Sequence, residues 1–402
     1  MRRWTDRRGF LKSLGAAAGY TAGALGYPAN ETVTIGCIGT GGRCRALMRA
    51  LAGIPGVKVV AVCDVWDVHL AMGRELAGAQ AFATRHYPDL LARKDIDAVV
   101  IASPDHWHVP MTVDACRAGK DVYVEKPLTH RIAEGEAVVR AQNEHRRIVQ
   151  VGMQQRSMPH IRKAFEIVKS GRLGSIHKVH LTWNRNQPRQ RRSGPEIDPA
   201  TVDWQRFLGN APAQPFDAYR FRNWRWFWDF GGGIFTDLMV HWVDVAYWFL
   251  DLGRPMTASS TGGHYMAEGL WETPDTVQTL LDYPGRKAQV YFEGTFVNAR
   301  NAAMIEFMGT EASLYIDRGR WEIHPERGRP IPYEEMVLGE GPRGADFYKN
   351  PDGEVLHLAH WLDCVRARRK PNTPAEEGVR SAEAAHLANQ ALRSGSVARI
   401  AG

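Results

Sequence analysis

Cysteine is scarce in this chain of 402 residues: Cys37, Cys44, Cys63, Cys116 and Cys364 are the only five, and no CxxC pair occurs. An odd number without paired spacing excludes a disulfide framework, and the five read as small buried apolar residues. No apolar run is long enough to span a membrane as a helix, so stable membrane insertion is not expected. Charge of one sign is also in short supply. The formal net charge is +7, but Arg2, Arg3, Arg7, Arg8 and Lys12 stand against Asp6 within residues 1–30, which leaves the body only weakly basic. No basic stripe with interleaved aromatics is present, so nucleic acid is not an expected partner. Internal repeats are missing too. What remains is an ordinary globular composition, 44% apolar and 24% charged. The length suits two or three domains with full cores.

Residues 1–30 read as an export segment rather than part of the fold. Arg7-Arg8-Gly9-Phe10-Leu11-Lys12 matches the twin-arginine pattern, with Asp6 in place of the usual Ser or Thr, and a Gly/Ala-rich stretch follows from Ser13 to Leu25. This predicts a periplasmic or exported protein. The twin-arginine route carries folded passengers, which agrees with the lack of disulfides.

Residues 31–152 read as a doubly wound parallel sheet. Strand Val33–Ile38 runs into Gly39-Thr40-Gly41-Gly42-Arg43-Cys44 and then a helix over 45–52. Glycines at such a turn let the backbone approach a pyrophosphate, which then sits on the helix N-terminus. Cys44 stands where the third glycine of the fingerprint belongs. The next strand, Val57–Cys63, ends at Asp64, an acid placed to accept hydrogen bonds from adenosine ribose hydroxyls and to repel a 2′-phosphate. NAD is therefore the expected cofactor. Strand 98–102 ends in Ser103-Pro104-Asp105-His106-Trp107-His108, with a helix predicted over 109–118. His106 and His108 read as cofactor or substrate contacts, or as a metal pair lacking a third ligand nearby. The apolar strand 122–125 breaks at Glu125-Lys126-Pro127. A lysine at the carboxyl end of such a strand sits where ligands of open α/β sheets bind, although a surface loop lysine looks the same from sequence.

Residues 153–402 read as an α+β domain. Strands are predicted over 176–183, 257–262, 276–283, 288–296, 302–308 and 313–317, and succession with short turns implies an open, mostly antiparallel sheet. Gln154 and Arg156 fall in a predicted loop, and 187–198 in a second, polar one. Helices are predicted over 355–369 and 375–394. The stretch Gly231-Gly232-Gly233 opens an apolar helix whose polar exceptions are Asp237, His241 and Asp244. On an α-helix these lie within about 60° of one another. They suit a His–Asp pair that tunes a proton acceptor, a satisfied core histidine, or a metal site. The preceding aromatics, from Phe221 to Phe230, suit packing or a sugar face.

Taken together, the glycine turn, the Asp64 strand end, Glu125-Lys126-Pro127 and the Gly-Gly-Gly-x-x-x-Asp-x-x-x-His-x-x-Asp helix resemble the Gfo/Idh/MocA oxidoreductase family over about residues 32–395. The resemblance implies a Rossmann domain, a second domain whose open sheet makes homo-oligomer contacts, and a nicotinamide between them. It implies Lys126 and His241 as catalytic groups that also touch substrate, with Asp237 orienting His241. The expected cofactor contacts are Gly39, Thr40, Gly41, Gly42, Arg43, Asp64, Ser103, Pro104, His106, His108, Glu125, Lys126 and Gln154. Substrate contacts are expected at Lys126, Arg156, Asp237 and His241, and no metal. The expected activity is NAD-dependent oxidation of a sugar or polyol hydroxyl with a tightly held, internally recycled cofactor. A redox-neutral glycoside hydrolase or lyase and a non-enzymatic NAD or sugar sensor are the alternatives.

Overall fold

In a computed structural model, residues 32–186, 196–339 and 352–400 are described. The predicted export segment and residues 187–195 of the predicted polar loop lie outside them. Among the described residues no helix is long and apolar enough to cross a membrane.

The first domain alternates strand and helix: β1 Val33–Ile38, α1 Gly42–Ala52, β2 Val57–Cys63, α2 Asp67–Ala77, β3 Phe82–Thr84, α3 Tyr87–Leu91, β4 Ala98–Ile101, α4 Asp105–Arg117, β5 Asp121–Val124, α5 Gly135–Glu144 and β6 Val149–Val151. All pairings are parallel, in the order β3-β2-β1-β4-β5-β6. β4, β5 and β6 are buried along their whole length, as expected of parallel strands covered on both faces. The order reverses between β1 and β4, so the turns after these strands flank the crevice where ligands of such sheets bind. Two helix starts differ from the sequence expectation. α1 begins at Gly42 and α4 at Asp105, so His106 and His108 lie in a first helical turn rather than a loop.

The second domain is built on a nine-stranded sheet. Its strands are β7 Ile176–Asn184, β8 Thr257–Gly263, β9 Thr276–Tyr283, β10 Ala288–Thr295, β11 Ala303–Gly309, β12 Ala312–Asp317, β13 Arg320–Pro325, β14 Glu334–Val337 and β15 Ala398–Arg399. The order is β14-β13-β12-β11-β7-β10-β9-β8-β15, antiparallel except where β7 runs parallel to β10. Strands β13, β14 and β15, and β3 of the first sheet, are additions to the sequence reading. One face of the sheet packs on helix α6 Pro159–Lys169 and on a segment that starts as a π turn, Phe235–Met239, and continues as α7 Val240–Leu250. Gln154–Ser157 forms a 3-10 turn rather than a loop.

The chain boundary near residue 152 is not a packing boundary. Helix α8 Gly353–Ala367 returns to the first domain, where Leu358, Trp361 and Leu362 join the core of Val33, Ile35, Cys37 and Tyr123. His357 is held against Val151 O at 3.0 Å, and Gln150 Nε2 donates to the His357 carbonyl at 2.7 Å. The final helix α9 Ala375–Ser394 then packs on both the first domain and α7.

Candidate active site

The glycine turn opens the site. Gly39 has φ +79°, and a Cβ there would lie 2.8 Å from the Ser103 nitrogen, so the turns after β1 and β4 meet in a contact only glycine permits. A Cβ at Gly42 would meet nothing within 4 Å, and no side chain caps the α1 N-terminus. Its first-turn N–H groups are left without a capping side chain, which suits an anionic group. Asp64, at the end of β2, is buried, accepts from Trp66 N at 2.9 Å and lies 3.5 Å from Thr40 Oγ1. Burial pushes its carboxyl up to about 7, against these hydrogen bonds. A bare helix N-terminus, a glycine cradle and a buried acid that needs donors fit a dinucleotide.

Arg43, in the first turn of α1, pairs with Glu125 at 2.8 Å and with Glu354 of α8. Gln154 completes this group: with its amide oxygen toward Arg43, its Nε2 donates to Gly152 O at 2.8 Å. Sequence neighbours of the β5 strand end and the returning helix are thereby tied to the glycine turn.

Lys126 extends from the β5 end to the second domain. Its Nζ donates to Asp237 Oδ1 and to the Asp237 carbonyl, each at 2.8 Å. Arg225 Nε lies 3.3 Å from the same Oδ1. Burial alone would lift the Asp237 carboxyl, but Lys126 and Arg225 outweigh it and hold it well below the usual carboxylate range. One helical turn on, His241 packs against Trp183 with ring centroids 5.0 Å apart, and its Nδ1 is buried without a partner. Burial first, and then Lys126, hold its imidazole well below its ordinary value, with Asp237 opposing. His241 is therefore a neutral base.

Several expectations need correction. No hydrogen bond joins Asp237 to His241; Asp237 is taken by Lys126 and Arg225. The predicted stripe is split, because a π turn holds Asp237 and changes the angular register that a uniform α-helix would give. Asp244 points elsewhere. It receives Arg156 through two bonds, at 2.8 and 2.7 Å, and Ser381 at 3.0 Å. Arg156 also reaches Glu377 at 3.0 Å and is buried, so it is an interior ion pair and not a substrate contact. His108 is buried between Ser103 O at 2.9 Å and Pro127 O at 2.7 Å, beneath the Lys126 turn. His106 Nε2 meets Phe207 O at 2.9 Å, and its backbone N–H donates to Phe230 O. Both histidines are held by backbone carbonyls, while Nδ1 of half-buried His106 has no hydrogen-bond partner. Among the described residues no three His, Cys, Asp or Glu side chains converge as metal ligands.

Sequence reading missed Trp183, Arg225 and Asp105. Asp105 begins α4 and is buried; burial pushes its carboxyl up to about 8, with Lys126 and Arg225 opposing. Its signal lay in the strand-end run that also holds His106 and His108. Arg225 was hidden among aromatics.

A glycine cradle facing a lysine–aspartate–histidine cluster across two domains defines an NAD-binding oxidoreductase. Residues 33–153 match the oxidoreductase family, NAD-binding Rossmann fold, and residues 205–315 match the GFO/IDH/MocA C-terminal domain. The chain belongs to the Gfo/Idh/MocA oxidoreductases. It is 25% identical to the inositol 2-dehydrogenase of Rhizobium meliloti (strain 1021), over 90% of this chain and 97% of that protein. It is 36% identical to glycosyl hydrolase family 109 protein 2 of Shewanella sp. (strain ANA-3), over only 29% of this chain and 28% of that protein. Its fold is shared with levoglucosan dehydrogenase in complex with NADH and levoglucosan, at TM-score 0.72 and 17% identity, covering 92% of this chain and all of that one.

The Arg156–Asp244 pair yields a stability prediction. Arg156→Leu leaves a carboxylate buried without its cation and should cost about 3–5 kcal/mol. Urea unfolding checks this, and Arg156→Leu combined with Asp244→Leu should recover most of the loss. An unchanged midpoint in the single variant would show that Asp244 finds solvent or another partner.

Proposed function

We propose that the protein oxidises a hydroxyl-bearing carbon of a sugar or polyol, with Lys126 and His241 as the catalytic groups. The observation that carries this reading is the meeting of Lys126, from the first domain, with Asp237 and the His241 segment of the second, at the carboxyl end of β5. Gly39, Thr40, Gly41, Gly42 and Asp64 would hold NAD, with Ser103, Pro104, Glu125 and Gln154 bordering it. Bound NAD supplies the hydride acceptor. A carbinol carbon gives up hydride only as its hydroxyl proton leaves, so a base must stand ready. His241, kept neutral, takes that proton at Nδ1. The Lys126 ammonium donates to the carbinol oxygen and stabilises the developing negative charge. Asp237 keeps Lys126 aimed and balances its charge. The likeness to the inositol 2-dehydrogenase of Rhizobium meliloti, over 97% of that protein, supports the choice of polyols and sugars.

Lys126→Ala and His241→Ala should each lower kcat by about 10²–10⁴ while NAD binding persists. NADH absorbance on a panel of sugars and polyols checks this. The short likeness to a glycosyl hydrolase of family 109 favours a second reading, redox-neutral glycoside cleavage. Release of an aglycone with no net NADH would replace the first reading by that one.

Asp64 makes cofactor binding pH-dependent. Its raised value near 7 belongs to the free protein, and ribose hydroxyls favour the carboxylate. NAD binding should therefore tighten as pH rises through about 7, with proton release on binding, and weaken below it. Titration calorimetry in buffers of different ionisation enthalpy reads this. Asp64→Asn should flatten the profile and relax rejection of NADP. Equal affinity of the unaltered protein for NADP would overturn the assignment.

The twin-arginine pattern supports export with a cofactor loaded in the cytoplasm. A dehydrogenase without a pool of free NAD must hold its nucleotide and regenerate it within the cycle, which requires slow release. Mass spectrometry of protein purified from its native compartment and dialysed should find bound nucleotide, and multiple turnovers should follow without added NAD. An empty protein active only with excess NAD would end this reading. Contacts between copies through the exposed face of the nine-stranded sheet complete the proposal.

A further inference from the structure

Residues 198–209 belong to the second domain but lie against the first. Val202, Trp204, Phe207 and Leu208 are buried in the second domain's core. The start of the segment is fixed internally: Ala200 N donates to Asp198 Oδ1 at 2.9 Å, and Thr201 Oγ1 donates to the Asp198 carbonyl at 2.7 Å. Asp203 caps the short helix Trp204–Leu208 through Arg206 N. The segment meets the first domain in two places. Just past β2, Asp203 N donates to Val65 O at 2.8 Å, Trp66 and Val202 pair as an antiparallel bridge, and Trp66 Nε1 donates to Thr201 Oγ1 at 3.2 Å. At the start of α4, Trp107 Nε1 donates to Phe207 O at 2.8 Å, and a Cβ at Gly209 would lie 2.3 Å from the Trp107 ring. The segment is thus a strap from the second domain that joins the chain after β2 to the chain after β4.

Trp66 leads inward from the strap. Its backbone N–H donates to Asp64 Oδ1 at 2.9 Å, and its ring centroid lies 4.3 Å from that of His69. His69, in the first turn of α2, faces the glycine turn. A Cβ at Gly41 would lie 3.5 Å from its Cε1, its Nδ1 is 3.7 Å from Asp64 Oδ2, and its carbonyl accepts from Thr40 Oγ1 at 2.9 Å. Helix α2 comes this close because Gly73 carries no side chain; a Cβ there would lie 2.7 Å from Thr40 Cβ. The His69 ring therefore stands between the glycines assigned to the pyrophosphate and the acid assigned to the ribose. Burial, and then Arg45, push its imidazole down to about 4, so the ring is neutral and offers one donor and one acceptor. Among the described residues no hydrogen bond takes up either ring nitrogen, and the ring is half-buried. A neutral imidazole backed by an indole suits a group that combines an aromatic base with hydroxyls.

We propose that His69 touches the adenosine half of the bound dinucleotide, and that Trp66 and the strap of residues 198–204 hold His69 in place, so that the second domain slows nucleotide release. His69 is the contact residue; Trp66 and Thr201 are positioning residues that act through it. This deepens the retained-cofactor reading and rests on it for its role in the cycle. For nucleotide to leave, His69 must yield, and His69 is backed by an indole that the strap pins at both its backbone and its Nε1.

The test is the rate at which NADH leaves the loaded full-length protein, read from its fluorescence after mixing with excess NAD. His69→Ala should raise that rate about tenfold. Trp66→Phe and Thr201→Val, each of which breaks the Trp66–Thr201 bond, should raise it about threefold, the scale of one neutral hydrogen bond. His69→Gln keeps a donor and an acceptor and should recover part of the loss. ADP-ribose, which carries the adenosine half without nicotinamide, should lose affinity in the same order by titration calorimetry. Thermal unfolding of the nucleotide-free variants should stay close to that of the unaltered protein. Unchanged release in His69→Ala, or in both Trp66→Phe and Thr201→Val, overturns the proposal. Faster release with ADP-ribose affinity intact also overturns it, as does faster release matched by a fall in nucleotide-free stability, which would assign these residues to folding alone. The absolute rate in the unaltered protein decides the retained-cofactor reading separately. Fast release there ends that reading, whereas the ratio of variant to parent still decides this one.

Discussion

The contact of Lys126 with Asp237 is the constraint around which the site is arranged. It joins the end of a buried parallel strand to the one π turn described in the chain, residues far apart in sequence and in different domains. Neither group would be well placed alone. A carboxylate with so little solvent access loses hydration, and only nearby cations offset that loss. Here the cations prevail, so Asp237 stays charged and Lys126 has a fixed direction. The π turn helps by offering a backbone carbonyl as well as the side chain of the same residue, so the ammonium is held by two acceptors. A lysine held in this way still keeps a third N–H for a substrate oxygen.

The same environment separates four ionisable groups, Asp64 and Asp105 buried, Asp237 and His241 half-buried. Asp64 and Asp105 are pushed up because burial dominates; Asp237 is pushed down because cations dominate; His241 is pushed down because burial and cations act in the same direction. Burial alone would give all three carboxyls the same sign of shift. The differing outcome comes from placement relative to Lys126 and the arginines. A neutral imidazole beside an ammonium is a sound proton acceptor and a poor proton store, because protonating it puts two positive charges side by side. Proton capture at His241 therefore becomes easier once negative charge develops beside it, as on the alkoxide of a reacting hydroxyl.

Legibility from sequence follows how local each feature is. The glycine turn, Asp64 and the Glu125-Lys126-Pro127 strand end were readable, since strand, turn and helix succeed one another within a few residues and periodicity reports them. Asp237 and His241 were found for a partly mistaken reason. A uniform 100° period aligned them with Asp244, whereas the π turn shifts Asp237 relative to the α-helix that follows, and Asp244 closes a buried ion pair with Arg156. Arg156 itself read as a loop residue because a short 3-10 turn leaves no periodic signal. Trp183 comes from a strand end that only tertiary packing brings against His241, and no local pattern encodes that meeting. Helix α8, whose Trp361 enters the first domain's core, shows the same limit: its apolar face is visible in sequence, but not the surface it will cover. The cofactor half of the site is built by consecutive residues and the substrate half by residues that tertiary pairing brings together. That difference explains why cofactor chemistry could be read from the chain, while the packing of Trp183 on His241 and of Arg225 on Asp237 became visible only once the second domain was assembled.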